Sequence, residues 1–184
     1  MKSIIHLFLA VFVCLSGSAI AAEKLPETLS VNSVELVKNG QGVRKRLFIA
    51  LYEAALYLPD KTNDARSIVN ADESMAVVLT IVSDLITPEK MEKAIFDGFS
   101  KSTGGDLTPI ATQIDEFLSA FRSGIAVGDR FDLSYSANEG TVVEKNDEAV
   151  VTVAGLPFKQ ALFGIWLSDK PVQKSLKKAL LGNK

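Results

Sequence analysis

The stretch GDRFDLSYSANEGTVVEKNDEAVVTV, residues Gly128–Val153, reads as three strands joined by two tight turns. Phe131, Leu133 and Tyr135 alternate with Arg130, Asp132 and Ser134, which predicts one buried and one wet face. Asn138-Glu139-Gly140 and Asn146-Asp147 supply turn residues. Thr141–Glu144 and Ala149–Val153 then complete a meander. Strands that turn back this quickly pair antiparallel, so this segment decides the class of the sheet.

Working outward, Ser33–Lys38 alternates loosely and is followed by Asn39-Gly40-Gln41-Gly42, which reads as a hairpin turn. Val43–Leu58 then reads as one long strand. Its centre, Leu47–Tyr52, is apolar at both parities, as in a strand covered on both faces. Asn63–Asn70 is a short helix with Asn63 or Asp64 as cap, and Met75–Val82 is another central strand. Thr87-Pro88-Glu89 opens a helix with a capping hydroxyl, a proline in the first turn and an acid. Met91, Ala94, Ile95 and Phe99 carry that helix to Thr103-Gly104-Gly105. Thr108-Pro109 repeats the opening, with Ile110, Ile114, Phe117, Leu118 and Phe121 as its stripe and Gly124 as its end. After the meander, Phe158, Ala161, Leu162, Ile165 and Trp166 form a helical stripe, and Pro171 opens a last helix bearing Leu176 and Leu180. Strands, helices, strands, helices in that order predict an α+β domain, an antiparallel sheet with helices packed on one face.

The N-terminus has the parts of a secretory signal: Lys2, the apolar run Ile4–Leu15 and the small-x-small site Ala19-Ile20-Ala21. The run is apolar on every face and too short to span a bilayer of ~30 Å. Val13 before Cys14 argues against lipid attachment, which wants a small residue there. The expected organisation is therefore a cleaved signal over residues 1–21 and a single domain over 22–184, exported to the periplasm or secreted. His6 is the only histidine and Cys14 the only cysteine. A mature chain without them has no imidazole base, no thiolate and no disulfide, and it excludes Ser-His-Asp, Cys-His and His/Cys zinc chemistry. No metal site or cofactor is expected.

About 163 residues make one domain of ordinary size. Losing Lys2 takes the 20 basic residues to 19 against 22 acidic ones, a net charge near −3. The basic residues are dispersed; the densest cluster is Arg44-Lys45-Arg46. No nucleic-acid partner is expected from this pattern, and no further stretch is apolar enough to be a transmembrane segment.

Three segments resemble the chalcone isomerase-like proteins, in their bacterial exported branch. They are Asn39–Arg44 with Leu51–Pro59; Gly128-Asp129 opening a strand that ends at Tyr135; and Phe158–Leu181, containing Gly164-Ile165-Trp166-Leu167-Ser168-Asp169-Lys170-Pro171-Val172. With the matching element order they span about Ser33–Gly182. The resemblance implies an open-faced β-sandwich with a ligand cleft between sheet and helices. It also implies two functions. Plant enzymes of the family cyclise chalcones, using an arginine for the phenolate and a threonine and a tyrosine for the enolate. Relatives bind fatty acids, with an arginine and a tyrosine for the carboxylate. Residue by residue, Arg44 matches the arginine, the threonine position falls on Tyr52, the plant tyrosine falls near Thr87 and the plant asparagine near Ala94.

The expected function is binding of a lipophilic small-molecule anion, a fatty acid or similar carboxylate, with Arg44, Tyr52 and Thr87 as ligand-binding candidates. Arg44 offers a planar charged fork and Tyr52 a hydroxyl donor on an apolar strand. The plain alternatives are a surface arginine and a core ring. An intramolecular lyase of chalcone isomerase type, running on positioning and electrostatics, is the rival function; a structural or partner-binding domain with a filled cleft is the other. On one straight strand Arg44 and Tyr52 share a face but lie about 26 Å apart, so sharing a ligand requires a sharp bend between them. Tyr57, Tyr135 and Trp166 are expected as core or rim rings, and Asp129 as turn chemistry.

Overall fold

Period-two alternation along the strands sets the architecture. The computed structural model describes residues 25–183; the expected signal, with His6 and Cys14, lies outside them. Among the described residues, seven strands form one antiparallel sheet in strict sequence order: β1 Thr28–Val31, β2 Val34–Arg46, β3 Ile49–Leu58, β4 Met75–Ile81, β5 Arg130–Ser136, β6 Gly140–Lys145 and β7 Glu148–Val153. The β5–β7 meander forms as expected. Helix α1, Ala65–Asn70, links β3 to β4. Helices α2, Pro88–Ser102, and α3, Ala111–Leu118, lie between β4 and β5. Helices α4, Leu156–Leu167, and α5, Lys174–Leu180, end the chain.

The main core lies between the sheet and the helices. Leu56 and Leu58 of β3, Met75, Val77 and Leu79 of β4, and Phe131 and Leu133 of β5 all point to it. The helices answer with Phe99, Phe117 and Phe158, whose ring centroids lie 5.5–6.1 Å apart in tilted and edge-on pairs. Every residue of helix α4 from Phe158 to Leu167 except Gln160 is buried, so it is a central helix rather than the one-sided stripe expected. It meets α2 at two glycines. A Cβ on Gly164 would lie 2.0 Å from the Ser102 hydroxyl, and one on Gly98 would press on Ile165.

The reverse face of the sheet carries a smaller core of Leu36, Ala55, Tyr57, Ala76 and Val78, covered by Leu25 and Val31. Tyr57 donates to the Pro26 carbonyl at 2.8 Å, and Lys38 to that of Leu25 at 3.0 Å. The sheet curls far enough for Asn32, after β1, to donate to the Ser136 hydroxyl of β5 at 2.7 Å. This cover corrects the expectation of a wet face on β5. Asp132 is buried and held in a two-pronged pair by Arg130 at 2.6 and 2.7 Å.

The first hairpin turns elsewhere than expected. β2 runs straight through Asn39–Gly42, with a bulge at Asn39, and reverses at Leu47-Phe48. The glycines mark close packing instead of a turn. A Cβ on Gly40 would sit 2.2 Å from the Ala179 carbonyl of α5, and one on Gly42 would sit 2.7 Å from the Ala179 Cβ. Asn39 reinforces the contact, donating to the Leu180 carbonyl at 2.8 Å and accepting from the Thr62 amide at 2.8 Å.

Capping follows the sequence where a side chain reaches the helix. Asp64 accepts from the Arg66 and Ser67 amides at 3.0 and 3.1 Å. Thr108-Pro109 does not repeat the Thr87 device. It opens a 3-10 turn, and Asp106 accepts from the Thr108 amide instead. Pro171 precedes α5 by three residues rather than starting it. No helix among the described residues is long and apolar enough to cross a membrane.

Candidate functional site

A cavity of about 630 Å³ opens between the β2–β5 surface and helices α2 and α4. That is the size range of small-molecule sites. Its interior is apolar: Leu79, Met91, Phe117, Leu133, Leu162 and Ile165 are among its buried walls. Gly98, also in the lining, lets α2 pack closely on Ile165 of α4, where a Cβ would lie 3.0 Å from the Ile165 Cγ2. The reverse face holds a cavity of only about 150 Å³, lined by polar and acidic groups including Asp132, Glu139 and Glu144. A lipophilic anion fits the first and not the second.

Two of the three sequence candidates meet in the larger cavity. The reversal at Leu47-Phe48 sets Arg44 directly opposite Tyr52 in the β2–β3 register, and both line the cleft. The separation of about 26 Å expected for one straight strand is therefore replaced by a cross-strand pair, whose Cβ atoms stand about 5 Å apart. The bend sits at Leu47, whose φ is +55°.

Arg44 is half-buried. One terminal nitrogen, Nη1, donates to Gln173 Oε1 at 3.1 Å and to the Lys45 carbonyl. Gln173 is the clamp: it also accepts from the Lys45 amide at 2.8 Å and donates to the Val43 carbonyl at 3.2 Å. Among the described residues no carboxylate pairs with Arg44, and its Nε and Nη2 make no hydrogen bond. A guanidinium beside an apolar cavity is thus oriented but left with donors to offer.

Tyr52 accepts a hydrogen bond from Trp166 Nε1 at 3.1 Å. Burial pushes its phenol pKa up, against the opposing pull of the Trp166 bond and the Arg44 charge. The hydroxyl therefore keeps its proton at neutral pH. With its lone pair taken by Trp166, that proton has no protein acceptor among the described residues. Trp166 is a buried core ring, as expected, and it also lines the cleft and aims Tyr52.

Thr87 lies elsewhere. Its hydroxyl caps α2, accepting from the Lys90 amide at 3.4 Å and donating to Glu89 at 2.7 Å, and it does not line the cleft. Ala94, where the plant asparagine falls, lines the cleft without a polar group. Sequence reasoning missed Gln173, and it missed the lysines of α2, Lys90, Lys93 and Lys101, at the rim. The lysines recur at three-, eight- and eleven-residue spacings, which is a helical signal for one face.

A family model described as chalcone isomerase-like matches residues 17–182. Among solved structures, a fatty-acid binding protein of Arabidopsis thaliana has a similar fold. The TM-score is 0.68 at 16% identity, over 85% of this chain and 90% of that one. No curated protein sequence matches the chain.

Proposed function

We propose that this chain, which belongs to the chalcone isomerase-like family, binds a fatty acid or similar lipophilic carboxylate in the cleft between sheet and helices. The observation that carries this is Arg44: a half-buried guanidinium with free donors, no carboxylate partner among the described residues, and an apolar cavity of about 630 Å³ beside it. A carboxylate head would take two donors from Arg44 and a third from Tyr52, while the chain lies along Leu79, Leu133 and Ile165. The fold shared with a fatty-acid binding protein supports the ligand class. The reading assigns no reaction to the cleft. The enolate-directed positions carried over from the plant enzymes hold Tyr52, a capping Thr87 and an apolar Ala94. The same reading has the protein exported after removal of residues 1–21, which predicts Ala22 as the first residue of the isolated protein; an intact Met1 overturns it.

Gently purified protein examined by native mass spectrometry tests the ligand. Added mass matching a fatty acid, lost in Arg44→Ala, supports the proposal. A bare protein that also takes up no added palmitate or oleate overturns it.

A further inference from the structure

The first hairpin ends in an unusual way. Two-residue turns between strands favour Asn-Gly or Gly-rich pairs, because a residue in the left-handed region is strained unless it is glycine. Here the turn is Leu47-Phe48, with Leu47 at φ +55°. Both side chains stand in solvent: Leu47 is 87% exposed and Phe48 98%. Ile49, next along, is 49% exposed, and Leu85, on the loop before α2, is 44% exposed. Leu47, Ile49 and Leu85 all belong to the rim of the cleft.

The charge lining the cleft beside this apolar point is one-sided. Arg44, Arg46, Lys90, Lys93 and Lys101 line the cleft, against a single acid, Asp97, which is tied to Lys93 at 3.5 Å. Lys45 adds an exposed cation in the strand that leads to the tip. The whole chain carries a formal charge of −2, so this rim runs against its average. Exposed large apolar side chains inside a basic ring match the chemistry of an anionic lipid surface, with acyl chains for the tip and headgroups for the ring.

We propose that the Arg46–Ile49 tip docks on anionic bilayers, so that the cleft mouth meets the headgroup layer and an acyl chain passes between bilayer and cleft without crossing open water. The docking stands on the tip and the ring; the passage of a ligand rests on the fatty-acid reading above.

Co-sedimentation of the purified protein with phosphatidylcholine vesicles, with and without phosphatidylglycerol, tests this. Palmitate binding in lipid-free solution is measured on the same samples. The expected result is capture by the anionic vesicles, weakened by salt and on phosphatidylcholine alone. Phe48→Ser is expected to lower vesicle partitioning about tenfold or more. Phe48 does not line the cleft, so this variant keeps palmitate affinity in solution. Wild-type protein that binds palmitate but stays in the supernatant overturns the docking and leaves the ligand reading standing. Docking through Phe48 without palmitate binding does the reverse. Equal capture of Phe48→Ser, or a Phe48-dependent self-association without lipid, also overturns the docking, the latter by making a second copy of the chain the tip's partner.

Discussion

Two cations sit inside this molecule on opposite terms. Lys159 of α4 is fully buried, and its ammonium donates to three carbonyls, those of Ile68, Val69 and Ala71 at the end of α1. The rings of Tyr135 and Phe163 lie 5.5 Å from it. Every donor is used, and α1, which has no basic residue in its own last turn, receives its C-terminal charge from α4. Arg44 is half-buried, clamped at one nitrogen and open at the others. The difference separates a cation closed by the fold from one that the proposed function gives to a ligand. The first is closed by the fold, and the second is positioned by it and left unsatisfied.

The comparison breaks if the two residues fail to separate stability from binding. Lys159→Met is expected to leave three carbonyls orphaned and to destabilise the fold by about 3–5 kcal/mol, read as a lower urea midpoint. Palmitate affinity of the folded fraction should stay unchanged. Arg44→Ala is expected to do the opposite, weakening palmitate by about 10- to 100-fold, or about 1.5–3 kcal/mol, in a titration followed by Trp166 fluorescence. Its urea midpoint should move by less than the equivalent of about 1 kcal/mol.

The pH dependence sharpens the contrast. Burial pushes the Lys159 ammonium down to about 8 from 10.5, against the opposing pull of Asp72 and Glu73. Between those values the unfolded chain holds the proton more tightly, so stability rises with pH by at most about 1.4 kcal/mol per unit from this group. Tyr57 and Tyr135 are pushed up from 10.0 to about 12, chiefly by burial. Above pH 10 the unfolded chain loses those protons first, and their contribution falls. Urea midpoints across pH 7–11 should therefore climb and then drop, and Lys159→Met should remove the climb while keeping the drop. The smallest effect is expected from Tyr52→Phe. It loses one neutral donor and weakens palmitate by about 0.5–1.5 kcal/mol, with Trp166 left as an unpaired N–H.

The two cations also mark how far the sequence could be read. The meander was legible because Asn146-Asp147 and Gly140 are turn residues on a period-two background, and both Asn146 and Asp147 do adopt positive φ. Helix α2 was legible through Thr87-Pro88. The first hairpin was not. Its turn is made of Leu and Phe, which carry no turn signal, while Gly40 and Gly42, which do, answer to α5 from far along the chain. The reversal at Leu47-Phe48 is what pairs Arg44 with Tyr52, which one straight strand keeps apart. Lys159 and Gln173 were invisible for a related reason. Local pattern gives a lysine in an apolar helix no partner, and their roles depend on α1 and β2, brought close only by the tertiary fold.

The clamp on Arg44 ties the cleft to the order of synthesis. Gln173 lies 129 residues after the arginine it holds, and α5 just beyond it seats on Gly40 and Gly42. A growing or unfolded chain that has made the hairpin still lacks the part that orients Arg44. On the fatty-acid reading proposed above, ligand capture is a late event, coupled to docking of α5.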